Sequence, residues 1–168
     1  MRTFRTPYLI VLILLLLAAC RTPAPVSTTT AVTDDLGRKV SVSGKPVRIV
    51  SLAPSITEIL FALGAGDRVA GVTSYCDFPA EARSKPKVGD TIKPDLERIV
   101  ALKPDLVLIS TASQLEDFTK RLEGLNTPAF VTNPRTVEDV FHSIEQIGAI
   151  IGEASKAQNL VMQLRART

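Results

Sequence analysis

Short apolar runs alternate with stretches of helical periodicity along most of this chain. Continuous apolar character over a few residues is typical of strands buried on both faces. The runs predict strands at 48–52, 69–72, 87–88, 106–109 and 129–131. Helical spacing of apolar residues predicts helices at 56–63, 96–102, 114–122, 137–151 and 160–164. This alternation predicts an α/β fold, a Rossmann-like lobe whose parallel sheet is flanked by helices.

Two of these helices carry a start signal in the sequence. Ser55 and Glu58 have the hydroxyl and carboxylate spacing of a capping box, so we expect Ser55 to cap the first helix. Asp95 stands directly before the second helix, where a carboxylate can accept a hydrogen bond from the first turn.

The first 31 residues differ from the rest. A basic start, a short apolar core and small residues before a cleavage point are typical of a secretory signal, which we place at 1–19. The core is shorter than the roughly 20 apolar residues that a membrane span needs; the alternative is an uncleaved N-terminal anchor. Leu-Ala-Ala-Cys at 17–20 resembles the lipobox of bacterial lipoproteins, and this resemblance implies cleavage before Cys20 and a lipid on its sulfur. Residues 20–31 are rich in Pro, Ser and Thr, which predicts a flexible tether.

Three segments follow the tether. Asp35 and Gly37 supply turn chemistry between short β-prone pieces, which predicts a hairpin at 32–46. The alternating strands and helices form a globular lobe at 47–135. The helices at 136–168 end without a Gly, Pro or turn signal and leave an apolar face to be buried, so we expect a sequence that is cut off rather than finished.

Composition excludes several classes of function. The formal charge is +3, and loss of Arg2 and Arg5 with the signal would lower it to +1. No basic stripe with interleaved aromatic residues remains, so we expect no nucleic-acid partner. His142 is the only histidine, and we predict no metal site and no resident cofactor. A Cys76–His142 pair is the one candidate for covalent catalysis; we expect no catalytic residue and no enzyme, because the two lie on distant elements.

The ends of the predicted strands indicate where a ligand would bind. In open α/β sheets, ligands bind beyond the carboxyl ends of the strands. The side chains expected at this edge are small, polar and uncharged, apart from one aromatic ring. Such a surface suits a bulky, partly apolar ligand. We predict five ligand contacts there: Pro54, Ser55, Tyr75, Cys76 and Thr111. Two alternatives stay open, namely that Tyr75 packs on its own loop and that Cys76 is a small buried hydrophobic residue.

Three motifs, at 48–58, 72–79 and 96–107, resemble in order and spacing the substrate-binding proteins of bacterial importers for cobalamin, haem and ferric siderophores. The resemblance is greatest to the cobalamin binders. It implies two α/β lobes joined by a long helix, with the ligand between the lobes. This sequence resembles the first lobe and the start of the joining helix, so we expect the second lobe to be absent from it.

The resemblance also implies roles for single residues. Tyr75 matches an aromatic residue that packs on the corrin ring, whereas Thr91 stands where the cobalamin binders have Trp, which leaves haem or a siderophore chelate open. Glu97 matches a surface carboxylate that docks on an arginine of the membrane permease. The alternative for Glu97 is a favourable interaction with the dipole of its own helix.

The implied function is capture of a metal chelate and its delivery to the membrane permease of an ABC importer. The implied partners are that permease, the chelate and, through lipid on Cys20, a membrane. The protein would then be located in the cell envelope, facing the periplasm or the extracellular side. The alternative function is a truncated or scaffold-type lipoprotein lobe without independent ligand binding.

Overall fold

A computed structural model describes residues 28–110 and 116–167 of the chain. The first two strands, β1 (Thr29–Thr33) and β2 (Lys39–Ser43), form an antiparallel hairpin. The hairpin therefore begins at Thr29, three residues before the expected start at 32. Cys20 and most of the expected tether lie outside the described residues, as does Thr111.

Four parallel strands form the central sheet, which confirms the predicted α/β architecture. They are β3 (Ile49–Ser51), β4 (Val69–Val72), β5 (Leu106–Ser110) and β6 (Ala129–Thr132), in the spatial order β4–β3–β5–β6. The prediction of a strand at 87–88 is wrong. Lys87 makes only an isolated bridge to Val72, because Pro86 and the left-handed Gly89 (φ +96°) limit the extended segment.

Five α-helices accompany the strands within the described residues. They are α1 (Pro54–Ala62), α2 (Leu96–Ala101), α3 (Glu116–Gly124), α4 (Val137–Ile150) and α5 (Ala154–Arg165). No helix among residues 28–110 and 116–167 combines the length and the apolar composition that crossing a membrane requires.

A side chain caps the start of α2 and of α4, whereas α1 and α5 begin without a side-chain cap. The Asp95 carboxylate accepts a hydrogen bond from Arg98 N at 3.0 Å, as expected. The predicted cap at Ser55 is wrong: α1 begins two residues earlier than predicted, with Ala53 as its N-cap and no side-chain cap, because Pro54 has the backbone angle of a first helical residue. A full capping box instead starts α4, between Thr136 and Asp139.

The core lies on both faces of the sheet, and successive residues of β5 point to opposite faces. Leu106 and Leu108 belong to one apolar cluster, which α1, α4, α5 and the hairpin cover. Val107 and Ile109 belong to the other, which α2 and α3 cover. Both clusters are buried, so the molecule has three layers. The helices and the hairpin cover the two faces of the sheet and not its carboxyl edge.

A polar clamp fixes the reversal between α4 and α5. The Glu153 carboxylate lies 2.6 Å from Lys45 Nζ, 3.0 Å from Arg68 Nη2 and 3.1 Å from Lys156 Nζ. The side chains of Lys45 and Lys156 hold the pKa of Glu153 below its usual value. Because these cations come from three different parts of the chain, they attach the helix pair to the sheet.

Candidate functional site

The carboxyl edge of the sheet gathers three of the five predicted ligand contacts. Pro54 and Ser55 follow β3, and Tyr75 follows its neighbour β4. Pro54 is half-buried, while Ser55 and Tyr75 are exposed. Parallel strands end at the same edge, so these side chains form one surface. Thr111 comes directly after the last residue of β5 and lies outside the described residues, so its ligand contact stays a prediction.

Two further apolar side chains are exposed in the loops after β4. The exposed fractions are 63% for Tyr75, 65% for Phe78 and 73% for Ile92. We call these three residues the apolar edge. Sequence reasoning missed Phe78 and Ile92; the only available signal was a large apolar residue inside an otherwise polar loop, which does not show that the side chain is exposed.

Hydrogen bonds tie the loop of Ile92 to the turn of Tyr75. Ser74 donates to the Gly89 carbonyl through its backbone N and through its hydroxyl, both at 2.9 Å. The Asp90 carboxylate then accepts from Lys93 N at 2.6 Å and Ile92 N at 2.7 Å. These two N–H groups hold the pKa of Asp90 below its usual value, so the carboxylate form that closes the turn is favoured.

Cys76 is placed differently from the expectation. Its side chain is fully buried, where it lies 3.1 Å from Thr57 Oγ1 and 3.2 Å from Thr73 Oγ1. The expected ligand contact through Cys76 is therefore corrected: no part of the side chain reaches the surface that a ligand would touch. The alternative reading, a small buried residue, agrees with this position.

Glu97 lies on the surface in the first turn of α2. No ion pair to its carboxylate is present among residues 28–110 and 116–167. An exposed carboxylate without an ion pair in the described part of the chain is free to meet a cation on another protein, and it also complements the dipole of α2.

The candidate catalytic pair is not brought together. Cys76 follows β4, at one side of the sheet, and is enclosed by hydroxyl groups. His142 lies on α4 and lines a cavity of about 330 Å³ beside the end of β6, at the opposite side of the sheet. In the described parts of the chain, no three His, Cys, Asp or Glu side chains are arranged to hold a metal ion.

The sequence profile of the periplasmic binding protein family matches residues 49–168. This chain belongs to that family. The family binds substrates rather than transforming them, which confirms that the chain is not an enzyme. Membership also accounts for the parallel sheet whose carboxyl edge is left open.

Two proteins with similar sequences support the family assignment. The chain is 39% identical over 136 residues to an uncharacterized ABC transporter substrate-binding lipoprotein, YvrC, of Bacillus subtilis. The alignment covers 79% of this chain and 43% of that protein. It is 35% identical over 127 residues to the vitamin B12-binding protein of Vibrio parahaemolyticus, with 75% of this chain and 46% of that protein covered.

A solved structure shows the same fold. The periplasmic heme-binding protein RhuT from Roseiflexus superposes with a TM-score of 0.67 at 30% identity, over 71% of this chain and 46% of RhuT. The chain thus spans less than half the length of the relatives it matches. The recognition of the substrate-binding family from three sequence motifs is confirmed by these matches.

Proposed function

We propose that this chain is the first lobe of an ABC-importer binding protein that captures a metal chelate: cobalamin, haem or a ferric siderophore. The observation that carries the proposal is the apolar edge of Tyr75, Phe78 and Ile92 at the carboxyl end of the parallel sheet. A flat or bulky chelate offers apolar area to such a surface, and exposed aromatic rings are suited to stacking on it. The names of two relatives, which bind vitamin B12 and heme, support the same ligand class.

The ligand contacts we propose are Pro54, Ser55, Tyr75 and Thr111. Ser55 is exposed in the first turn of α1 and offers a hydroxyl at the same carboxyl edge of the sheet as Tyr75. No formal charge lies on any of these four side chains, which favours a ligand that is held by area and by hydrogen bonds. Thr91 in place of a Trp weakens the case for cobalamin and leaves haem or a ferric siderophore open.

Delivery to the membrane forms the second part of the proposal. Glu97 is exposed and has no ion pair within residues 28–110 and 116–167, and it would dock on an arginine of the permease, as the family resemblance implies. Lipid on Cys20 would hold the protein on a membrane, facing the periplasm or the extracellular side. The name of the Bacillus subtilis relative, a substrate-binding lipoprotein, supports this anchoring.

Titration of three chelates tests the proposal. We would join this chain to the second half of the Bacillus subtilis relative and follow absorption while adding haemin, cyanocobalamin or a ferric hydroxamate. We expect this two-lobed chimera to bind one of them, and the 168-residue chain to bind it at least about a hundredfold more weakly, because good sites bury about 70–90% of their ligand. Absence of binding by the chimera would favour the scaffold-type lobe; nanomolar binding by the chain alone would contradict the half-site.

A further inference from the structure

A row of buried polar side chains runs from the end of β3 to the turn that carries Tyr75. Ser51, Thr57, Thr73 and Cys76 each have no exposed surface. Thr57 Oγ1 lies 2.8 Å from Ser51 Oγ and 3.1 Å from Cys76 Sγ, and Cys76 Sγ lies 3.2 Å from Thr73 Oγ1. We call these four residues the hydroxyl–thiol row.

Every group in the row has a hydrogen-bonding partner. Thr57 donates to Ser51, and Ser51 donates to the Ala53 carbonyl at 3.1 Å. The Thr57 hydroxyl also lies within donating distance of Cys76 Sγ and of the Ala53 carbonyl, each at 3.1 Å, so its one proton is shared among three acceptors. Between Cys76 Sγ and Thr73 Oγ1, either atom is able to donate. Buried polar groups are tolerated only when they are paired in this way.

The row joins the two loops that make up the binding edge. Ser51 and Ala53 belong to the end of β3 and the turn that carries Pro54 and Ser55. Thr73 and Cys76 belong to the turn after β4, which the bond from Cys76 N to the Thr73 carbonyl closes at 3.2 Å. Thr57, on α1, is the link between the two.

Tyr75 directly precedes Cys76 and points the opposite way. Tyr75 is 63% exposed, while the side chain of Cys76 is fully buried and hydrogen-bonded. The Cys76 carbonyl is held as well, by Lys87 Nζ at 3.1 Å. An exposed ring has few contacts of its own to fix its direction, so the position of Tyr75 depends on the anchoring of its neighbour.

We infer that Thr57 is a positioning residue of the binding edge: through Cys76 it holds the Tyr75 turn in register with the Ser55 turn. The ligand part of this inference rests on the proposed function, whereas the placement of Tyr75 does not. Thr57 has no exposed surface, so it is not itself a ligand contact.

A single fluorine signal can report on this placement without any ligand. Tyr8 and Tyr75 are the only tyrosines, so the full chain with Tyr8→Phe, kept in mild detergent and labelled with 3-fluorotyrosine, gives one ¹⁹F resonance. We expect Thr57→Val, which keeps the shape but loses the hydroxyl, to shift or broaden that resonance. Thr57→Ser should restore it.

Thr127→Val is the matched control. Thr127 is also a buried threonine, 8% exposed, but it precedes β6 at the amino edge of the sheet. We expect this variant to leave the Tyr75 resonance unchanged. If Thr57→Val does not fold, Cys76→Ala breaks the same link while leaving Thr57 and Ser51 paired, and Cys76→Ser retains a hydrogen-bonding group. We expect the alanine variant to move the resonance and the serine variant to stay closer to the parent.

Binding of the chelate provides the second readout. In the two-lobed chimera, we expect Thr57→Val to weaken binding by about fivefold, as loss of one net hydrogen bond implies, and Thr57→Ser to recover most of it. The inference is overturned if the resonance is the same in Thr57→Val, or in Cys76→Ala, as in the parent, or if Thr127→Val moves it equally. If no chelate binds the chimera, the proposed function fails while the ¹⁹F measurement still decides the positioning role.

Discussion

Replacement of Tyr75 by alanine should weaken ligand binding more than any other single substitution at the binding edge. An aromatic side chain buries roughly 200 Å² when covered, and 63% of Tyr75 is exposed, so roughly 130 Å² is open to a ligand. At about 25 cal/mol per Å² this area is worth at most about 3 kcal/mol. A chelate that covers half of it would gain about 1.5 kcal/mol, which is about tenfold in affinity.

We therefore expect Tyr75→Ala in the two-lobed chimera to weaken chelate binding about tenfold to a hundredfold, the upper value applying if the whole ring is covered. The free energy of unfolding should change by only about 0.5 kcal/mol, because substitutions of exposed side chains rarely do more. Absorption titration measures the first quantity and urea unfolding the second. Cys76→Ser should affect binding less than Tyr75→Ala.

Val47→Ala is the control for exposed apolar area. Val47 is 62% exposed and precedes β3 at the amino edge, where its backbone N donates to the Asp105 carboxylate at 2.8 Å. Its loss should leave binding unchanged. The reasoning is refuted if Tyr75→Ala binds within twofold of the parent, or if Val47→Ala loses as much. A change of the haem spectrum together with lost binding in Cys76→Ser would indicate axial thiolate ligation instead.

Four other outcomes are expected. Cys20→Ser should release the protein from membranes or leave an unprocessed precursor, as fractionation and mass spectrometry would show. Glu97→Ala should weaken association of the chimera with its permease by about 2–5 kcal/mol if the pair is desolvated, while chelate affinity and melting stay nearly unchanged. Asp34→Ala should lower the free energy of unfolding by about 2–4 kcal/mol, since its buried carboxylate accepts from Arg38 and from Val131 N. The Asp90 turn should persist from about pH 8 to pH 5 and loosen only below about pH 4, because a lowered carboxyl pKa keeps the charged form until the pH falls through it.

Each of the first three has a result that would contradict it. Unaltered processing and membrane partition of Cys20→Ser would exclude lipidation at that sulfur. A large loss of chelate affinity in Glu97→Ala, with permease association intact, would place Glu97 in the cleft. Asp35→Ala is the control for the buried neighbour: its exposed carboxylate accepts from Asn133 N at 2.6 Å, and an equal loss of stability in both variants would show that burial of Asp34 is not the cause.

The sheet could be predicted from the sequence because its strands are continuous apolar runs buried on both faces. The strand at 106–109 is found as Leu106–Ser110, and the one at 129–131 as Ala129–Thr132. The start of α1 and the short apolar run at 87–88 were harder to predict from local sequence signals. Ser55 and Glu58 match a capping box, but Pro54 is stronger because its fixed backbone angle starts the helix directly. The run at 87–88 has strand composition but is too short to pair beyond one bridge.

The candidate site was predictable only in part. The position of Tyr75 after a strand placed it at the carboxyl edge, since that edge follows from the α/β pattern alone. Exposure of Phe78 and Ile92 depends on which side chains the rest of the fold leaves uncovered, and a single sequence does not contain that information. The burial of Cys76 depends in the same way on Thr57, which lies 19 residues earlier in the chain.

Hydrogen–deuterium exchange of the two-lobed chimera, with and without its chelate, tests the central claim most directly. If the ligand lies on the carboxyl edge, the amides that become protected in this chain should lie at 53–57, 73–78 and 89–93, around Tyr75 and Ile92. Protection should not extend to the cavity that Arg38 and Glu123 line beside the start of β6. Protection of that cavity, with the Tyr75 turn unchanged, would contradict the account.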